Sequence, residues 1–136
     1  MSNMLRISEA ATLALHTVGV LQGKARAMWT TRGIARMLGV SEAHLSKVLQ
    51  RLTRAGLVRA VRGPKGGFAL AKSGDEVTLL DVYEAIDGKL EPTRCLFGRH
   101  GCDGGCIVGD LVTRVNALVE ESFSKTKVSE ITRFSE

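Results

Sequence analysis

Apolar positions along this chain change period several times, and each change marks an element. Ile7, Ala11, Ala14, Leu15, Val18 and Leu21 fall on one face of a helix running from Ile7 to about Gln22, with Ser8 placed to cap it. Lys24 to Trp29 is a basic connector. Thr30 or Thr31 caps a short second helix through Leu38, with Ile34, Ala35 and Leu38 inward. Gly39-Val40 forms a tight turn, and Ser41 caps a third helix to about Ala55, with Leu45, Val48, Leu49 and Leu52 as its apolar stripe. Gly56 supplies the positive φ that ends it.

The period then shortens. Leu57 to Val61 reads as a strand, Arg62 to Gly67 as a turn and Phe68 to Ala71 as the return strand. Thr78 to Ile86 is a fourth helix, stopped at Gly88, with Leu79, Leu80, Val82, Tyr83 and Ile86 packing. Glu91 to Gly105 carries Pro92, Gly98, Gly101, Gly104 and Gly105 and reads as a loop. A long helix from Ile107 to about Phe123 closes the chain, its apolar set wide enough to meet both its own domain and a second subunit. The last dozen residues are polar and are expected to fray or to drape over a neighbour.

Two helices joined by a glycine-containing turn make a helix-turn-helix, and the hairpin after it makes a wing. The expected fold class is therefore mainly α with a small β-hairpin wing: a winged helix-turn-helix, residues 1–91, followed by a cysteine loop and a long C-terminal dimerisation helix, residues 92–136.

Charge sharpens this picture. Lys24 to Lys72 holds eleven Lys and Arg against Glu42 alone, +10 in a chain whose net is +5, and Ser73 to Glu91 reverses the sign with six acids against Lys89. A basic block inside a helix-turn-helix pattern is the electrostatic footprint of duplex DNA binding. With the third helix's apolar stripe inward, its other face presents Ala43, His44, Ser46, Lys47, Gln50, Arg51 and Arg54, side chains suited to base edges, phosphates or close approach. Ser41 at its start, Thr31 and Arg32 on the second helix, and Arg59, Arg62 and Lys65 in the wing complete the candidate contacts. A charged helix face alone is as often merely solvated, and His44 beside Leu45 can equally sit on the rim of the core; the combination of helix, turn and basic wing decides for DNA.

At 136 residues the chain suits one domain, at most with an appendage. It shows no signal peptide and no apolar run long enough to span a membrane, so a cytoplasmic, thiol-reducing setting is expected. Three cysteines there, Cys95, Cys102 and Cys106, read as metal ligands or redox sensors before they read as a structural disulfide. Their C-x6-C-x3-C spacing among glycines suits an iron–sulfur cluster with one weak or exchangeable further ligand. A thiol/disulfide switch and a zinc or merely structural role stay open, although no CxxC pair is present. For the further ligand, His100, Asp103, Asp110, Glu9 and His16 are candidates, Glu9 and His16 sharing a face of the first helix.

The runs Ser41-Glu42-Ala43-His44-Leu45, Ala55-Gly56-Leu57-Val58 and Val61-Arg62-Gly63-Pro64-Lys65-Gly66-Gly67-Phe68-Ala69-Leu70-Ala71, with Asp81 and Tyr83 in the next helix, resemble the IscR/NsrR/RirA type of bacterial transcription regulators, the Rrf-two family, over about residues 5–123. The resemblance implies homodimers joined through long C-terminal helices, winged helices on palindromic operators, and in many members a 2Fe–2S or 4Fe–4S cluster on three cysteines placed as Cys95, Cys102 and Cys106. It also ranks His16 first as the fourth ligand, because a histidine ligand occurs at that position in one branch. The chain departs from the pattern at Gly109, where some members have a ligand histidine, at Thr12, where some have aspartate, and in its cysteine spacing.

The expected function is thus a DNA-binding transcription regulator, a repressor, that senses redox state, iron or nitric oxide through the cluster. The alternatives are the same fold acting as a thiol-based or cluster-free regulator, and, from another class, a small iron–sulfur electron carrier. A carrier has no use for the basic helix and wing, and no Ser/His/Asp or paired-carboxylate arrangement speaks for an enzyme.

Overall fold

The computed structural model describes residues 7–23, 26–90 and 108–131. Within them the chain forms α1 (Glu9–Gln22), α2 (Thr31–Leu38), α3 (Glu42–Arg54), β1 (Val58–Val61), β2 (Gly67–Leu70), α4 (Leu79–Asp87) and α5 (Gly109–Lys125), then a single 3-10 turn, Val128–Glu130. The mainly helical fold with one β-hairpin is the expected one. The loop predicted over Glu91 to Gly105 and the predicted helix start at Ile107 lie outside the described residues.

Four helices begin where a hydroxyl can replace the missing turn. Ser8, Thr30, Ser41 and Thr78 accept from the backbone N–H three residues on, at 3.0, 3.0, 3.2 and 3.0 Å. Thr78 is also bonded in return, its N–H donating to Asp81 at 2.9 Å, a reciprocal capping box. Gly39 closes α2 in the left-handed conformation at φ 68°, which fixes the sharp turn into α3.

α1 is the hub of the packing, touching α2, α3, α4, β2 and the C-terminal 3-10 turn. A single stripe therefore underestimates its burial. Leu13, Thr17 and Val20 are enclosed along with Ala11, Ala14, Val18 and Leu21, while Leu15 is only half-buried. Buried Thr17 donates its hydroxyl to the Leu13 carbonyl at 2.7 Å, so it adds no unmet polar group. Ser8 also ties the start of α1 to the end of α4, its hydroxyl donating to Asp87 at 2.6 Å.

β1 and β2 are antiparallel, Val58 opposite Leu70 and Val61 opposite Gly67. The expected connector contributes more than basic charge. Trp29 pairs with Phe68 through two backbone bonds, Trp29 N–H to Phe68 O at 2.9 Å and Phe68 N–H to Trp29 O at 2.7 Å. Its indole is 3% exposed. β2 is thereby held on both edges, and the wing is bolted to the segment that enters α2.

The end of the chain departs from expectation. Residues 126–131 neither fray nor leave for a neighbour but fold back on their own core. Thr126 O accepts from Leu79 N–H at 3.0 Å, Val128 N–H donates to Val77 O at 2.8 Å, and Ser129 N–H to Gly74 O at 3.1 Å. Val128 is fully buried. Two apolar residues in a largely polar run do this: Val128 is enclosed beside α1 and Ile131, half-buried, packs against the same core.

Val128→Ala removes two buried methylene equivalents and is expected to lower stability by about 2 kcal/mol in urea unfolding. A tail that merely frayed would give no change.

Candidate nucleic-acid interface

α3 is fixed by its buried side. Leu45, Val48, Leu49 and Leu52 are all but inaccessible, so the helix cannot rotate about its axis without exposing them. Ala43, His44, Lys47, Gln50, Arg51 and Arg54 are exposed and Ser46 is half-buried, the outward face that the periodicity predicts. His44 thus stands on the surface and not on the core rim. Ser41 is exposed, with its oxygen accepting the His44 N–H; its hydroxyl hydrogen is what it can offer outward.

Thr31, half-buried, opens α2 and Arg32 follows, exposed. Arg32 Nε donates to Glu42 at 3.2 Å, linking the first turns of α2 and α3 across the turn. Both side chains are well exposed, so the pair contributes at most about 1 kcal/mol and orients more than it stabilises. The wing adds Arg59, Arg62 and Lys65, all exposed. Its geometry depends on Gly67, at φ 146°, where a Cβ would stand 2.5 Å from the Trp29 carbonyl oxygen.

The acidic segment is on α4, where Asp81 and Asp87 are exposed and Glu84 is half-buried, its carboxylate accepting from Leu90 N–H at 3.0 Å. Burial, then Asp87, then Glu84 hold the Tyr83 phenol above its ordinary pKa. The Tyr83 ring meets Phe123 of α5 edge to face, centroids 6.1 Å apart. The opposite side of α5 leaves Leu111 51% and Leu118 66% exposed, with Val115 between them.

Cys95, Cys102 and Cys106, with His100 and Asp103, lie outside the described residues. Of the other ligand candidates, Glu9, Thr12 and His16 are all exposed on α1, and His16 Nδ1 lies 2.7 Å from the Thr12 carbonyl oxygen. Asp110 is exposed and pairs with Arg114 at 3.8 Å. Among the described residues, no three His, Cys, Asp or Glu side chains converge on a common metal position. Nor is any helix among them long and apolar enough to cross a membrane.

The site has one part that sequence reasoning missed. Arg26, Trp29, Arg32, Arg36 and Met37 surround an open hollow of about 430 Å³ beside α2. The i, i+4 spacing of Arg32 and Arg36 was its only trace in the sequence, since Arg26 joins them through the fold.

The sequence pattern of the Rrf2 family, described as iron-dependent transcriptional regulators, matches residues 7–133. The chain belongs to the Rrf2 family. An Rrf2-type relative, the HTH-type transcriptional regulator IscR of Pectobacterium carotovorum subsp. carotovorum, is 43% identical over 72 residues, 53% of this chain and 43% of that protein. The match thus covers 43% to 60% of the length of the curated IscR proteins, less than two thirds of each. Among solved structures, CymR (YrzC), the global cysteine regulator of B. subtilis, superposes with a TM-score of 0.79 at 22% identity, covering 98% of this chain and all of that one. T. potens IscR gives 0.73 at 21% identity, covering 98% and 90%. These two share the Rrf2 winged-helix fold seen here, and the relatives are named as transcriptional regulators, not enzymes.

Gly67→Ala should detach the wing from Trp29. A loss of about 1–3 kcal/mol in denaturant unfolding, with weakened protection of the Trp29 and Phe68 amides from hydrogen exchange, is the expected result.

Proposed function

We propose that this chain is a cytoplasmic, homodimeric repressor that reads a palindromic DNA operator with α3 and the wing, under control of an iron–sulfur cluster on Cys95, Cys102 and Cys106. The observation that carries the reading is the outward face of α3, where Lys47, Gln50 and Arg51 stand opposite four locked leucine and valine side chains. Major-groove recognition needs a rigid helix with long donors on one side. Thr31, Arg32, Ser41 and the wing arginines surround that helix with groups suited to phosphate.

In this reading residues 1–91 carry the DNA-binding unit, and residues 92–136 the cysteine segment and dimer helix. Leu111, Val115 and Leu118 form an exposed stripe at i, i+4, i+7, which suits a helix that meets its copy across a two-fold axis. Two α3 helices then enter successive major grooves about 34–36 Å apart.

The donor set fits a cluster. Three thiolates stand in the sixteen residues before Asp110, and among the described residues no side chain caps the first turn of α5, whose N–H groups favour a nearby anion. His16 is the proposed fourth ligand: with Nδ1–H donating to the Thr12 carbonyl, Nε2 carries the lone pair, the arrangement seen in ligating histidines. Such a cluster supplies a reversible response to oxidant, nitric oxide or iron supply. The chain's own part is to make the start of α5 sensitive to whether the cysteine segment is held. The likeness to CymR, named a global cysteine regulator, favours a second reading in which the same thiols act without a cluster.

Anaerobic purification with absorption spectra and iron and sulfide counts tests the cluster: a coloured protein that bleaches in Cys102→Ala is expected, and a colourless, iron-free protein favours the thiol reading. For DNA, Arg51→Ala and Lys47→Ala should each cost about 1–3 kcal/mol of duplex affinity in anisotropy titrations. Their thermal stability should stay within about 0.5 kcal/mol of the parent, as both are exposed.

A further inference from the structure

The hollow beside α2 is built from three cations, and no acid is among the residues that line it. Arg26 lies over the Trp29 ring, its guanidinium carbon 4.8 Å from the centroid. That contact positions a charge that would otherwise sweep through solvent. Trp29 Nε1 is buried without a hydrogen-bond partner among the described residues. A phenylalanine would avoid that penalty, so the broad electron-rich indole face is what the position gains. Gly33 keeps the wall low, because a Cβ there would come within 3.6 Å of Arg26 Nη1 and 3.2 Å of Thr30 Oγ1.

Arg32 and Arg36 are one turn apart on α2, a like-charge pair that costs the isolated helix about 0.2–0.5 kcal/mol. Glu42 answers Arg32, whereas Arg36 has no acidic partner among the described residues. Three clustered guanidiniums answered by a single carboxylate are poor for folding and well suited to a tetrahedral oxyanion, which they hold by paired N–H donors.

We propose that this hollow is a phosphate clamp that takes a backbone phosphodiester of the bound duplex, with Arg36 and Trp29-seated Arg26 as its jaws. This rests on the DNA-binding reading and extends it to residues outside α3 and the wing. The argument for DNA as the source of the phosphate is position. On one side Trp29 is paired directly to Phe68 of the wing, and on the other Arg32 is bonded to Glu42 in the first turn of α3. The clamp therefore stands at the junction of the two elements that face the duplex. Thr30, also lining it, accepts the Gly33 N–H with its hydroxyl oxygen at the α2 cap and keeps its hydroxyl hydrogen to donate, so it can add a neutral donor beside the arginines.

A phosphate contact carries no base information, so a mixed-sequence duplex of about 30 base pairs suffices as the probe. Anisotropy titrations of the full chain at several salt concentrations give the slope of log affinity against log salt. Arg36→Ala and Arg26→Ala are each expected to reduce that slope by about 1 and to weaken binding alike on any sequence. Trp29→Phe, which keeps an apolar ring in the core, should reproduce part of the Arg26→Ala effect while the circular dichroism melt confirms folding. Unchanged slopes in Arg26→Ala and Arg36→Ala, alongside a reduced slope in Lys47→Ala, would overturn the clamp and leave DNA binding intact. Absence of duplex binding by the parent chain overturns both. Stabilisation of the parent but not Arg36→Ala by millimolar pyrophosphate, with DNA slopes unchanged, would reassign the hollow to a free phosphoanion and also overturn the proposal.

Discussion

The burial of one side of α3 against α1 is the constraint on which the rest of this molecule depends. Leu45, Val48, Leu49 and Leu52 recur at a spacing that only a helix can bring to one side, and all four are locked in the core. Once they are placed, every other residue of α3 has its direction decided. Lys47, Gln50, Arg51 and Arg54 project outward because no rotation of the helix satisfies the leucines and hides the cations. α1 can serve as the opposing surface because it is enclosed on nearly all sides, by α2 and α3, by β2, by α4 and by the returning C-terminus.

Much of this was legible in the sequence, for local reasons. A hydroxyl three residues before an N–H and a glycine that can take positive φ are signals within one turn of chain. So the caps at Ser8 and Ser41, a cap at Thr30 or Thr31, and the stops at Gly39, Gly56 and Gly88 could be read directly, whereas Thr78, read as the first residue of α4, is its cap. What was hidden required contacts between distant residues. Trp29 is one aromatic in a short basic connector, with no period to announce it, and its strand partner Phe68 lies on the far side of α2 and α3. Val128 and Ile131 are two apolar residues in a largely polar tail, too few to show a period that would announce their packing on the core. Leu13, Thr17 and Val20 look like the exposed side of a simple amphipathic helix until the elements that cover them are in place. The α3 face was therefore foreseeable, but the arginine hollow was not, since Arg26 reaches the side of α2 from the connector, seated on the Trp29 ring, and not through a helical period.

α5 is held to the DNA-binding core at its far end. Phe123 meets Tyr83, Thr126 accepts from the first N–H of α4, and Val128 enters the core beside α1. Its first turn, by contrast, follows Cys106 within a few residues of chain and has no side-chain cap among the described residues. Under the proposed cluster control, a helix anchored at its far end would turn a displacement of its first turn into a tilt. The packing offers a contiguous route for it, from the 126–131 strap through the Thr78 cap and α4 to α1, and from α1 to the leucines of α3. Each link is a buried or hydrogen-bonded contact, the kind that transmits displacement instead of absorbing it.

Charge gives the assembly its orientation. Eight of the eleven cations of residues 24–72 stand on α2, α3 and the wing, while the acids of residues 73–91 belong chiefly to α4 and the turn before it. A polyanion approaching α4 meets Asp81 and Asp87, and one approaching α3 meets Lys47 and Arg51. The field thus rejects the wrong face as actively as it attracts the right one, which shortens the search for the productive encounter. α5 packs on α4, the acidic side, so in the proposed reading its apolar stripe of Leu111, Val115 and Leu118 lies away from the duplex. A uniformly basic surface with the same net charge of +5 would bind DNA in many poses, and only one of those poses presents α3 to the groove.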